Sequence, residues 1–273
     1  MKSVSIIGAG AVGRSLAFAL CDGGCIPEAI YSKRTVSAST LARSLGTKIF
    51  GAVSVARLSS KIVIISVPDA EIGLVAAQIA ENSGSLKGMI FLHTSGALTS
   101  DELLPLRRKG GSVGSIHPLQ TFSKRRSRTE FTNVHCAIEG DADAVKAARA
   151  VARIIGARHF TIRKNEKIVY HIAAVFASNY LVTLLSVSER LGRTISIQEK
   201  NFRRIIAPLV NQTVENILRT SPADALTGPI KRGDGNTVSK HIRKLESTKD
   251  LKQFLPLYAA LGMETARLAK RRK

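Results

Sequence analysis

Residues 4–20, VSIIGAGAVGRSLAFAL, decide how this chain is read. Val4 to Ile7 is a short β-branched run, Gly8-Ala9-Gly10-Ala11-Val12-Gly13 is a GxGxxG turn, and the residues after it are helix formers. A GxGxxG match carries weight only between a strand and a helix, and this one lies there. Gly8 permits the tight turn, Gly10 lets the backbone approach a pyrophosphate, and Gly13 lets the helix pack against the strand. The helix start at Ala11 and Val12 adds free N–H groups and a positive dipole end. The stretch predicts dinucleotide binding; the alternative is a glycine turn needed only for packing. It is not read as a signal peptide, because three glycines and Arg14 interrupt the apolar run after Lys2.

Working outward, strands are expected at Val4–Ile7, Ala29–Tyr31, Lys48–Phe50, Ile62–Val67, Met89–His93, Ser112–His117, Val134–Ile138 and His159–Ile162. Helices are expected between them at Ala11–Cys21, Val36–Leu45, Asp69–Glu81, Asp101–Lys109 and Ala142–Ile155, with Asp69 and Asp101 as N-caps. This alternation predicts an α/β fold, a doubly wound parallel sheet of the Rossmann type. After Ile162 strand alternation stops. One long helix is expected over Glu166–Leu191, another over Ser196–Leu218 kinked at Pro208, then a turn-rich stretch from Ser221 to Gly235 and helices over Thr237–Glu246 and Leu251–Lys270. The expected domains are 1–163, a nucleotide-binding Rossmann domain, and 164–273, an all-helical domain for substrate binding and dimerisation.

The chain has 273 residues, 44% of them hydrophobic, enough for a core in both domains. Its formal net charge is +21, but residues 1–163 carry +10 and 164–273 carry +11, so no basic module stands beside a neutral one. Aromatic residues are only 5% and Trp is absent, which leaves few platforms for unpaired bases. Nucleic acid is therefore not the expected partner. Cys21, Cys25 and Cys136 form no CxxC pair and are read as small buried hydrophobes in a reducing compartment. No run reaches the roughly 18 apolar residues that a membrane span needs, so no membrane partner is expected and the chain is placed in the cytoplasm.

The end of the second strand reads Tyr31-Ser32-Lys33-Arg34. An Asp or Glu there would accept from the ribose of NAD; a hydroxyl and two cations suit the 2′-phosphate of NADP instead. The alternative is that Lys33 and Arg34 merely belong to a basic surface. Ligands of such sheets bind at the carboxyl ends of the strands. There lie Val67-Pro68-Asp69, His93-Thr94-Ser95-Gly96 and His117-Pro118, making Val67, Pro68, His93 and Ser95 cofactor-side candidates and His117 a catalytic one.

On the long helix Lys167, His171, Ala174 and Ser178 share a stripe, with Asn179 further round, and His171 and Asn179 stand among apolar residues where a buried polar group needs a partner. Lys167 is also compatible with a solvated position. The turn around Gly228-Pro229-Ile230-Lys231-Arg232-Gly233, running on to Thr237, suits a carboxylate or phosphate; the alternative is an ordinary helix connection.

Together GAGAVG, VPD, HTSGAL, SIHPLQTF, KIVYHIAAVFASNYLVTLL and LTGPIKRGDGNTV resemble the Rossmann-like proteins that carry the C-terminal domain of unknown function 2520. That family belongs to the group with a 6-phosphogluconate-dehydrogenase-like helical domain and is similar in layout to pyrroline-5-carboxylate reductase and ketopantoate reductase. The resemblance implies a dimer built through the helical domains and an NADP-dependent reduction, and names no substrate. His117-Pro118 is similar to the His-Pro of prephenate dehydrogenases, and the loop at 227–237 is placed like the carboxylate-binding loop of pyrroline-5-carboxylate reductases. The proline-glycine-glycine-threonine run of the latter is missing, and the Lys-x-x-x-Asn pair of hydroxyacid dehydrogenases appears here as Lys167-x-x-x-His171.

The expected activity is NADPH-dependent reduction of a small, anionic carbonyl or imine compound. His171 or His117 is the expected proton donor, Lys167 a neighbouring cation, Asn179 a donor that orients the substrate, and Gly228, Arg232 and Thr237 hold its carboxylate. A histidine near its ordinary pKa of about 6.5 suits proton donation at neutral pH. The rival expectation is a non-catalytic NADP-binding sensor or assembly protein.

Overall fold

A computed structural model describes residues 3–56, 58–122 and 130–270. It divides into two compact units, Met1–Ser178 and Asn179–Lys273. In the first, strands β1 (Val4–Ile7), β2 (Ala29–Ser32), β3 (Ile49–Ala52), β4 (Ile62–Ile65), β5 (Ile90–His93), β6 (Ser112–Pro118), β7 (His135–Gly140) and β8 (Arg158–Thr161) form one sheet in the order β3-β2-β1-β4-β5-β6-β7-β8. Helices α1 (Ala11–Asp22), α2 (Thr35–Leu45), α3 (Asp69–Glu81), α4 (Leu104–Arg108), α5 (Ala142–Ile154) and α6 (Lys167–Ala177) accompany it.

The central strands are rich in apolar residues at consecutive positions, most fully Ile62-Val63-Ile64-Ile65 of β4, because both faces of the sheet are covered there. Ile6, Ile30, Ile64 and Leu92 pack with α1, α2 and α5 on one face, while Ile7, Tyr31, Val63, Ile65 and Phe91 pack with α3 and α4 on the other. Alternate residues of one strand thus serve different cores. Neighbouring strands are parallel except β6 and β7, which pair antiparallel with Ile116 opposite Ile138. The doubly wound, predominantly parallel sheet expected from the alternation is present, with that one antiparallel step: β7 and β8 run against the first six strands.

Neither aspartate expected as an N-cap fills that role. Pro68 precedes α3 and makes no side-chain cap, so Asp69 is the first helical residue. Ahead of α4 a 3₁₀ turn starts at Ser100, capped by Thr99, whose hydroxyl accepts from Asp101 N–H at 3.3 Å. Both carboxylates still lie where the helix dipole favours negative charge.

The second unit comprises α7 (Asn179–Arg193), α8 (Glu199–Arg219, with Pro208 inside), α9 (Pro222–Ala225), α10 (Pro229–Arg232), α11 (Gly235–Ser247) and α12 (Leu255–Lys270). Leu245, Leu251 and Phe254 form its small core, and Arg190 stacks over Phe254 at 4.6 Å. The turn-rich stretch after Ser221 holds two one-turn helices, each begun by a proline whose fixed φ suits the first helical position.

The single helix expected over Glu166–Leu191 is interrupted at Ser178, where φ −122° and ψ −67° leave helical values. Ser and Asn favour helix ends because their side chains compete for backbone hydrogen bonds. The compact units therefore part at Ser178, later than the expected boundary at 163/164, because α6 is tied to the sheet through Lys167. The expectation that nothing here is apolar enough to span a membrane is also corrected. Lys164–Arg193 contains an 18-residue window of mean hydropathy 1.7, enough by length and composition alone, since no Asp, Glu, Lys or Arg occurs between Lys167 and Glu189. Of the cysteines, only Cys136 is fully buried; Cys21 and Cys25 are half-buried.

Candidate active site

The sheet order reverses between β1 and β4, and the carboxyl ends of the strands open there into a cavity of about 400 Å³. Its wall includes Gly10, Ala11 and Val12 from the glycine turn, Val67, Pro68 and Asp69 after β4, Ser95 and Gly96 after β5, His117 at the end of β6, and His171 on α6. Every lining residue belongs to the first unit.

The glycine turn has a steric basis. Gly8 sits at φ +108°, and a Cβ there would fall 2.1 Å from Ser66 O; a Cβ on Gly13 would fall 1.9 Å from Gly8 O. Beside Gly10 the same construction meets nothing within 4 Å, so an open cradle faces the cavity at the start of α1. These residues fit a dinucleotide pyrophosphate.

His93 lies elsewhere than expected. It is wholly buried, its Nδ1 accepts from Ser95 N–H at 3.2 Å, and its Nε2 reaches Thr99 O at 3.0 Å. Burial, with the nearby Lys167 cation, pushes its pKa down to about 3. His93 is a neutral pin that shapes the loop over residues 94–99. Ser95 holds that loop too: its hydroxyl donates to Asp69 Oδ2 at 2.8 Å and accepts from Ala97 and Leu98 N–H.

Lys167 is likewise corrected. It is 1% exposed and does not line the cavity. Its Nζ donates to Ser95 O at 3.1 Å and Ser115 Oγ at 2.7 Å and lies 3.9 Å from Glu139 Oε2. Glu139 accepts from Ser100 N–H at 3.0 Å and from its hydroxyl at 2.6 Å. Burial draws the ammonium down to about 8, against the pull of Glu139 and Asp69. Lys167 is thus a positioning residue beneath the site.

The two histidines that do meet are His117 and His171. Their ring centroids are 6.2 Å apart, and a Cβ on Gly96 would lie 2.8 Å from both His117 Nε2 and His171 Nδ1. Only glycine leaves that space free. His117 Nδ1 is hydrogen-bonded to Tyr170 Oη at 2.8 Å, whereas His171 Nδ1 is buried with no partner among the described residues. Burial first, then Lys167 and His171, lower His117 to about 4, and burial raises Tyr170 to about 12. At neutral pH both are uncharged, so the expectation that His117 titrates near 6.5 does not hold.

Tyr170, Glu139 and Ser115 were not among the expected site residues. Tyr170 stands three residues after Lys167, about one turn along the same helix face, and was readable from that spacing. Glu139 is a lone carboxylate inside the buried strand β7, a signal of equal strength. Asn179 is exposed and begins α7 in the second unit, so it is not the buried polar group that its apolar neighbours suggested. Gly228, Arg232 and Thr237 all belong to the second unit. There Gly228 has φ +95°, Arg232 ends α10, and Thr237 donates to Asp234 from its N–H at 3.0 Å and its hydroxyl at 2.7 Å.

At the end of β2, Ser32 is half-buried and Arg34 exposed, but Lys33 pairs with Glu71 of α3 at 3.0 Å. The strand end lacks a carboxylate, as read from sequence, yet one arrives from a helix 38 residues further on. Lys33 and Glu71 line a second cavity of about 600 Å³, which shares Val67 with the first.

Residues 1–118 match the model of a Rossmann-like domain, and residues 134–265 match that of the domain of unknown function DUF2520. No curated protein matches the chain by sequence. Among solved structures it is similar to a candidate NADP oxidoreductase from Bacteroides fragilis, at 24% identity and TM-score 0.81 over 97% of this chain and 98% of that one. A protein from Thermotoga maritima shares 27% identity at TM-score 0.74, covering 98% and 100%. A pyrroline-5-carboxylate reductase from Coxiella burnetii shares 14% at TM-score 0.61, covering 99% of each.

Proposed function

Since the chain joins a Rossmann-like domain to a DUF2520 domain, we propose that it is an NADP-dependent oxidoreductase that reduces a small carbonyl or imine acid. The observation that carries this reading is the unpartnered Nδ1 of His171, aimed with His117 Nε2 at the space over Gly96 in the cavity that the glycine turn also lines. A buried polar atom without a partner in the chain is explained by a ligand that supplies one.

The glycine turn would hold the pyrophosphate, with Ser32, Lys33 and Arg34 toward the 2′-phosphate. The chemistry NADPH supplies when bound is transfer of a hydride to the substrate carbon. His171 gives the proton to the product heteroatom. His117, neutral and accepting at Nδ1 from the Tyr170 hydroxyl, presents its Nε2–H as a fixed donor to the same atom. Lys167, Ser95 and Ser115 hold the floor on which these groups stand.

The test is NADPH oxidation by purified protein against a panel of 2-keto acids, cyclic imines and aldehydes. With a substrate found, His171→Ala is expected to lower turnover about 100-fold or more, the usual scale of a lost proton donor. Full turnover in both His171→Ala and His117→Ala would sink the assignment. Tight NADPH binding with no turnover across the panel would favour a sensor.

The same reading includes a homodimer. The helices of the second unit expose Val182, Ile205, Leu209 (69%), Leu218 (81%) and Met263, more apolar surface than an isolated unit ordinarily leaves to water. Light scattering at micromolar concentration is expected to return twice the chain mass of 29.3 kDa, and the mass of a single chain would refute the dimer.

A further inference from the structure

The pair at the end of β2 bears on which cofactor binds. Lys33 is 82% exposed at its side chain and Glu71 33%, and both line the second cavity beside Val67. Glu71 stands in the first turn of α3, and its carboxylate meets the Lys33 ammonium beside the end of β2 at 3.0 Å. An exposed ion pair of this kind is weak and easily exchanged for another anion.

We propose that Glu71 sets cofactor selectivity by competing with a ribose 2′-phosphate for Lys33. This rests on the nicotinamide-cofactor reading above. A 2′-phosphate carries up to two negative charges; to take Lys33 it must displace Glu71, and the displaced carboxylate then stays close to a like charge. A ribose 2′-hydroxyl is neutral and asks for an acceptor, which the Glu71 carboxylate supplies without leaving Lys33. The pair therefore blunts a preference for NADP that Ser32, Lys33 and Arg34 would otherwise confer, and leaves room for NAD.

Calorimetric titration of the full-length wild type, Glu71→Gln, Lys33→Ala and the double variant with NADPH and with NADH tests this. Glu71→Gln is expected to bind NADPH roughly three- to tenfold more tightly, with NADH unchanged or weaker, and most of that gain should vanish on the Lys33→Ala background. High salt should shrink the gain, because the groups are exposed. A ratio of the two affinities that does not move in Glu71→Gln, or NADH tightened as much as NADPH, overturns the inference alone. Wild-type protein that binds neither cofactor overturns the functional reading and the inference with it. Since Glu71 is a surface side chain, unaltered thermal unfolding of the variant is expected and checks that the comparison is of like folds.

Discussion

Lys167→Met is expected to destabilise the protein by about 3–5 kcal/mol, the usual cost of removing one partner of a buried ion pair. The ammonium is 1% exposed and Glu139 3%, so the carboxylate left behind cannot turn to water. Met matches the length of the lysine stem, so a void contributes little and most of the loss is electrostatic. Two further acceptors, Ser95 O and Ser115 Oγ, lose their donor in the same step. Urea unfolding followed by circular dichroism should show the midpoint falling sharply. Adding Glu139→Gln should recover part of the loss, because a neutral amide tolerates the missing cation better than a carboxylate does. A loss under about 1 kcal/mol would mean that water or a shifted side chain already serves Glu139.

Acid is expected to be nearly as damaging, through His93. In the fold its pKa is about 3, while in the unfolded chain it returns to about 6.5. Between these values the unfolded chain binds a proton that the folded chain refuses, so stability rises with pH across the window and is lost as pH falls. From pH 6.5 to pH 4 the loss from His93 alone is about 3 kcal/mol. His117, lowered to about 4, acts in the same direction over the upper part of the window. Urea midpoints at several pH values should therefore fall steeply below pH 6.5, and His93→Gln should flatten the curve even though it starts less stable. Equal slopes for the two proteins would show that His93 takes up its proton without leaving its place.

Much of the fold could be read in advance because its signals are local. Ile62–Ile65 and residues 90–92 are apolar at consecutive positions, and burial on both faces of a sheet explains that in so short a run. In the glycine turn Gly8 and Gly13 are steric necessities, and each necessity names its residue. The direction of β7 was not legible, since apolar residues in a strand pack the same whether its neighbour runs parallel or antiparallel.

The site was legible in its types and less so in its pairings. His93 and His117 both end strands, and nothing local says that one ring is pinned under a loop while the other faces the cavity. The Lys33–Glu71 contact joins a strand end to a helix 38 residues away, beyond any helical or strand period. The fate of Lys167 depended on Glu139 and Ser115, which reach it only through the antiparallel pairing of β6 and β7.

That burial of Lys167 also separates two notions of a module. The segment that matches the DUF2520 model begins at residue 134 and so contains β7, α5, β8 and α6. The portion that holds together in space ends at Ser178. Glu139 and Lys167, both halves of the buried pair, and the site residues Tyr170 and His171 thus lie within the DUF2520 match while packing as part of the first compact unit. A chimera exchanged at residue 134 would carry the ion pair across whole but set Glu139 against a foreign β6. One cut at 163 would leave Glu139 without its cation. Recombination among relatives should therefore tolerate a joint after Ser178 far better than one at the place where the helical pattern begins.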